Sequence, residues 1–160
     1  MRKISYFNNI LAKTNKEIGL PEILSIIGNG KLKSLTDQIK NEPDKEKRND
    51  LKKKLPAVTI SGTFSNSHSI KDFKEHSGLI SIDIDDIQEP HYLKEKISLD
   101  KYTYVAFISP SGKGLKVIVK IEPNKENHLK NFYALQEYYE TEYNISIDET
   151  SMINNKHTRT

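Results

Sequence analysis

Two short stretches of this 160-residue chain carry side chains that could do chemistry. The first is Gly78-Leu79-Ile80-Ser81-Ile82-Asp83-Ile84-Asp85-Asp86. Apolar and polar residues alternate, so a strand here turns Ile80, Ile82 and Ile84 to one side and Ser81, Asp83 and Asp85 to the other. Two carboxylates at that spacing repel, which raises one pKa unless a cation compensates. A hard divalent ion with oxygen ligands, Mg²⁺ or Mn²⁺, would relieve the cost. The same pattern also suits an exposed strand end whose acids cap the next helix, a role open to Asp86 above all.

The second stretch is Ser109-Pro110-Ser111-Gly112-Lys113-Gly114-Leu115-Lys116. Glycines allow close backbone approach, serines bring hydroxyls, and lysines bring positive charge, which are the parts of a phosphate-binding turn. It lacks the GxxxxGK[ST] spacing of a P-loop, and a strand rather than a helix should follow it. An ordinary hairpin turn would use the same residues. If this turn lies at the same end of a sheet as the acids, Asp83 and Asp85 would hold metal. Ser109, Ser111, Gly112, Lys113, Gly114 and Lys116 would then hold a triphosphate. A third carboxylate, Asp148, ends a later predicted strand and could join the pair, although a turn or capping role fits it too. Carboxylates, two metal ions and a triphosphate together make the apparatus of nucleotidyl transfer.

Other reactive types are less eloquent. Histidines 68, 76, 91, 128 and 157 show neither HxH nor HxxxH spacing and read as surface residues. Tyr138, Tyr139 and Tyr143 could stack bases but equally well pack a helix. Lys45, Lys47, Arg48, Lys52, Lys53 and Lys54 crowd one segment, which reads as a solvated helix or linker more readily than as a DNA-binding arm.

The elements that must position these residues follow from periodicity. The first 55 or so residues read as mostly helical, with Pro21 in the first turn of a helix that Gly28-Asn29-Gly30 ends. A second helical stretch begins near Leu32 and is interrupted by Pro43. Ala57 to Phe64 reads as a β-branched strand broken at Gly62. Leu79–Asp85 is the expected central strand, Pro90–Ile97 a helix, Tyr102–Ser109 and Leu115–Ile121 a hairpin. Lys125–Tyr143 is a helix with Leu129, Phe132, Leu135 and Tyr139 along one side, and Ile145–Asp148 a closing strand. From Leu79 onward the order is βαββαβ, the split βαβ arrangement whose sheet carries helices on one face and leaves the other available. The fold class is therefore α+β with an RRM-like sheet. It divides into a helical segment, residues 1–54, and a catalytic unit, residues 55–160.

Composition narrows the field. The chain is 35% hydrophobic and 29% charged, with a net charge of +3 and no cysteine or tryptophan. Without cysteine there is no disulfide scaffold, thiol nucleophile or thiolate zinc site. No apolar run approaches the roughly 18 residues of a membrane helix, and no apolar signal region opens the chain. A soluble, cytoplasmic protein is expected, not a membrane one. The slight basic surplus is compatible with phosphate-bearing partners. The final residues, Lys156-His157-Thr158-Arg159-Thr160, read as a cut within a longer protein.

Leu55-Pro56-Ala57-Val58-Thr59-Ile60-Ser61-Gly62-Thr63-Phe64, the Gly78–Asp85 run and Ser109–Lys116, in that order, resemble the virulence-associated E protein N-terminal domain of the archaeo-eukaryotic primase, or primase-polymerase, superfamily. The resemblance covers about residues 50–150. It implies an RRM-like catalytic sheet at work in replication of a phage, plasmid or mobile element. It implies metal binding by Asp83 and Asp85 with Asp148 as the third acid, a single-stranded DNA template, nucleoside triphosphate substrates and a helicase downstream in the same chain. A small-x-His element of the superfamily corresponds to Gly114-Leu115-Lys116, where lysine replaces histidine and cannot reproduce a neutral imidazole's hydrogen bonds. The basic residues expected after the third acid are matched loosely by Arg159. Two rivals remain: a non-catalytic module that binds single-stranded nucleic acid, and a metal-dependent nuclease.

Overall fold

The computed structural model describes residues 2–147. Asp148, Arg159 and the rest of the C-terminal segment lie outside the described residues. The element order is β1 (Lys3–Phe7), β2 (Lys16–Gly19), α1 (Leu20–Gly28), α2 (Lys33–Asn41), α3 (Lys45–Lys52), β3 (Ala57–Thr59), β4 (Gly62–Phe64), β5 (Phe73–His76), β6 (Leu79–Ile84), α4 (Pro90–Ser98), β7 (Thr103–Ile108), β8 (Leu115–Lys120) and α5 (His128–Tyr143). Among the described residues, five α-helices and three small antiparallel sheets make an α+β architecture, as expected. Among the described residues no helix is long and apolar enough to cross a membrane.

The sheet that carries the acidic pair has the order β6-β8-β7, antiparallel throughout. That is the order a βαββαβ unit gives its first three strands. Alternation in β6 does what the sequence demands of it. Ile80, Ile82 and Ile84 are fully buried against Phe132 and Tyr139 of α5 and Ile97 of α4. Each such side chain removed from water is worth roughly 1.5–3 kcal/mol, so a register slip that exposed all three would be prohibitive. Asp86 then adopts a left-handed backbone, φ 54°, and ends the strand.

Several expectations need correcting. Among the described residues β8, not β6, is the central strand, because Ile145–Ile147 forms no strand. Instead Ile147 is tied to α5: its N–H donates to Glu140 at 2.8 Å and its carbonyl accepts from Gln136 at 3.4 Å. The N-terminal 54 residues hold three helices near the predicted places, and also β1 and β2, which the helical reading missed. β1 pairs with β2 on one side and with β3 on the other. The β-branched run after Leu55 is two strands in different sheets, broken at Ile60-Ser61 rather than at Gly62.

The second face of the β6-β8-β7 sheet is not left open along its length. Leu79 of β6 and Ile118 of β8 pack there with Ile4, Ile18, Leu20, Ile23 and Ile60. Arg2 secures this layer by donating to the carbonyls of Ser77, Gly78 and Ile121 at the start of β6 and the end of β8. Arg2 marks the end of the sheet away from the acids, and Phe107, paired with Lys116, carries the same packing toward them.

Candidate functional site

Strand register brings the polar residues together. Asp83 of β6 stands directly opposite Lys116 of β8, and the Lys116 ammonium donates to Asp83 Oδ2 at 2.8 Å. Both side chains are largely withdrawn from solvent, at 18% and 15% exposure. The other carboxylate oxygen, Oδ1, accepts from Ser81 at 3.4 Å. Asp85, two residues on, is exposed at the rim. Partial loss of water raises its pKa above the ordinary value, and the Asp83 charge adds to the rise, while Lys116 and then Lys52 oppose it.

The Ser109–Gly114 turn closes over the same end. Ser109 and Gly114 bond across it (N···O 2.8 Å), Gly112 N–H donates to Ser109 O, and the Ser109 and Ser111 hydroxyls are 3.1 Å apart. Gly112 sits at φ +75°, a conformation costly for other residues, with the Lys40 stem of α2 beside it. Gly114 is required for a different reason. A Cβ there would lie 2.6 Å from Ile84 O and 3.0 Å from an Asp85 carboxylate oxygen. Ile87 N–H donates to Lys113 O at 2.8 Å, which binds the acidic loop to the turn. The glycine turn and acidic pair therefore share one end of the sheet, as the functional reading of the sequence requires.

Between this sheet and the N-terminal layer lies a cavity of about 420 Å³. Asp83, Lys116 and Ser109 line it, with Tyr6, Ile23, Ile26 and Val58 among its apolar walls and Lys33, Asp37 and Lys40 of α2 at its edge. Volumes of roughly 300–1,000 Å³ with a few polar groups on apolar walls suit small-molecule sites. Sequence reasoning did not assign these N-terminal residues. A signal was present, since Ile26 and Ile27 extend the apolar side of α1 beyond what its buried residues, Leu20 and Ile23, require.

The hydrophilic rim fits a hard cation only in part. Among the described residues no three His, Asp or Glu side chains converge. Asp85 has no hydrogen bond or ion pair there, whereas Asp83 is already engaged by an ammonium. The donor set suits one divalent ion held by Asp85 with Asp83 Oδ1 beside it. Ile147, the last described residue, lines a second cavity with Asp85 and Asp86; Asp148 itself lies outside the described residues.

Two of the histidines are not surface residues. His128 is 8% exposed and His76 half-buried, their rings joined by a 2.9 Å Nδ1···Nε2 hydrogen bond. The tyrosines pack α5: Tyr138 and Tyr143 both donate to Asp100 at 2.8 Å, and Tyr139 bonds Thr103.

Fold and site together define an α+β domain that pairs an acidic strand end with a lysine- and glycine-bearing turn at the mouth of an apolar cavity. Residues 50–155 match the BT4734-like N-terminal domain. That is well over half of the chain, and the chain belongs to this family. The match agrees with the resemblance to virulence-associated E N-terminal domains. No curated protein and no solved structure matches it.

Proposed function

We propose that this domain is a primase-polymerase module that joins nucleoside triphosphates on a single-stranded DNA template. The observation that carries the reading is the convergence of Asp83, Asp85, Lys116 and the Ser109–Gly114 turn at one end of the sheet, beside a cavity large enough for a nucleoside. Asp85 and Asp83 Oδ1 would hold a Mg²⁺ or Mn²⁺ ion, with Asp148 as a further candidate ligand. Such an ion would supply Lewis acidity to an attacking 3′-hydroxyl, while the Lys113 and Lys116 ammonium groups would offset the charge of departing pyrophosphate. The chain's own part is positional. Lys113, Lys116 and the Ser109 and Ser111 hydroxyls hold phosphate oxygens, the apolar walls take the nucleoside, and Gly114 keeps the turn against the acids.

The test is incorporation of labelled nucleotide on single-stranded DNA with Mn²⁺. Asp85→Asn is the cleanest variant, because Asp83→Ala strands the largely shielded Lys116 ammonium. We expect wild-type incorporation to fall at least a hundredfold in Asp85→Asn and to vanish in Asp83→Ala/Asp85→Ala. Undiminished synthesis by the double variant would remove the site assignment. A second reading, a non-catalytic module that binds single-stranded nucleic acid, is favoured by one observation: Asp83 already has a cationic partner. Binding that needs no metal and weakens steeply with salt, without incorporation, would select it. Strand cleavage without added nucleotide would select a nuclease.

A further inference from the structure

We infer that Lys116 is a built-in cation of the acidic site, so that this domain takes one divalent ion at the acidic pair rather than two. The inference rests on the metal-dependent reading above and concerns how many ions that reading involves. Its basis is the register of the sheet. Lys116 faces Asp83 directly across β8 and β6 and sits 2.8 Å from Oδ2. The pair is shielded, with four-fifths or more of each side chain out of solvent, so water screens it poorly. Asp83 Oδ1 accepts a long 3.4 Å contact from Ser81, and its remaining lone pair is the one Asp83 can offer the ion at Asp85.

A divalent ion on Oδ2 would have to displace the ammonium or lie against it. Displacement would bury an unpaired lysine charge between strands, and coexistence would place like charges in a poorly screened crevice. Neither cost applies at Asp85, which stands at the solvent edge and makes no hydrogen bond or ion pair among the described residues. Lys116 cannot leave easily, because Leu115 and Val117 on either side are buried in the opposite face of the sheet and fix its direction. The ammonium thus does for Asp83 what a second metal would do, and remains in place when the divalent ion is absent. Lys116 also lines the cavity that would receive the nucleotide.

The experiment counts bound Mn²⁺ on the full chain, by electron paramagnetic resonance and by isothermal titration, with Mn²⁺ alone as the probe. One ion per chain is expected for wild type, lost in Asp85→Asn. In Lys116→Met, which keeps the length of the stem, we expect a second ion or an affinity for the first at least tenfold higher. Two ions in wild type would overturn the inference and leave the metal-dependent reading standing. No bound ion would overturn both. An unchanged count and affinity in a folded Lys116→Met chain would also overturn the inference. The wild-type count decides the matter even if that variant fails to fold.

Discussion

At Asp83 and Lys116 a sheet's register performs electrostatics. Directly opposed side chains on one face of an antiparallel pair are the closest neighbours a sheet offers, and here they are an acid and a base held away from water. Asp85 shares the face but not the partner, so its raised pKa marks the place where added positive charge gains most. Glycine 114 is the complementary constraint, because the adjoining carbonyl of Ile84 belongs to a strand and cannot retreat. Gly114→Ala should destabilise the domain by about 1–3 kcal/mol, as overpacked sites do, and should weaken triphosphate binding further. Calorimetry and nucleotide titration on the same samples would check both effects. Gly28→Ala is the contrast, since nothing lies within 4 Å of a Cβ there. It should leave the melting temperature unchanged or raise it slightly.

At the scale of elements, the attachment of α5 to β5 is chemically specific. Gly78 N–H donates to His76 Nδ1, so the His76 proton sits on Nε2 and points at His128 Nδ1. His128 then carries its own proton on Nε2, which is buried with no hydrogen-bond partner among the described residues. Burial, and secondarily the neighbouring His76, lower the His128 pKa from 6.5 to about 4, and burial with the nearby Arg2 lowers that of His76 as well. Folded-state pKa values below the unfolded ones mean that the unfolded chain binds more protons across this interval. Stability is therefore complete above about pH 6.5 and falls as the pH drops toward 4. For His128 alone the loss amounts to about 3 kcal/mol. Urea unfolding at pH 7.5 and pH 5 should show it, and His128→Leu should flatten the dependence. The histidines were unreadable as a pair in the sequence, because 52 positions separate them and only the packing of α5 beside β5 brings them into contact.

For the molecule as a whole, the N-terminal layer walls the cavity beside Asp83 and Lys116 and is not an appendage. The family match begins at residue 50, yet β1 pairs with β3 beyond that point, Arg2 reaches the β6 and β8 ends, and α1 and α2 form one wall of the cavity. A chain beginning at residue 50 would expose Leu79, Ile118 and Ile60 and leave the cavity with one wall. We expect it to lose cooperative thermal unfolding, which calorimetry against the full chain would register. The features legible along the chain are local ones. Strict alternation made β6 a strand with its isoleucines on one face, Pro-Ser-Gly-Lys-Gly made the hairpin turn, and threefold and fourfold spacing made α5, because each of these depends on neighbours within one element. The remaining features arise from contacts between distant segments. Asp83 meets Lys116 through pairing between strands 33 positions apart, β1 and β2 are strands because β3 is there to complete their sheet, and Ile145–Ile147 folds back on α5 instead of entering a ladder. These outcomes depend on partners distant in the chain, and periodicity along one segment does not record what another segment will place beside it.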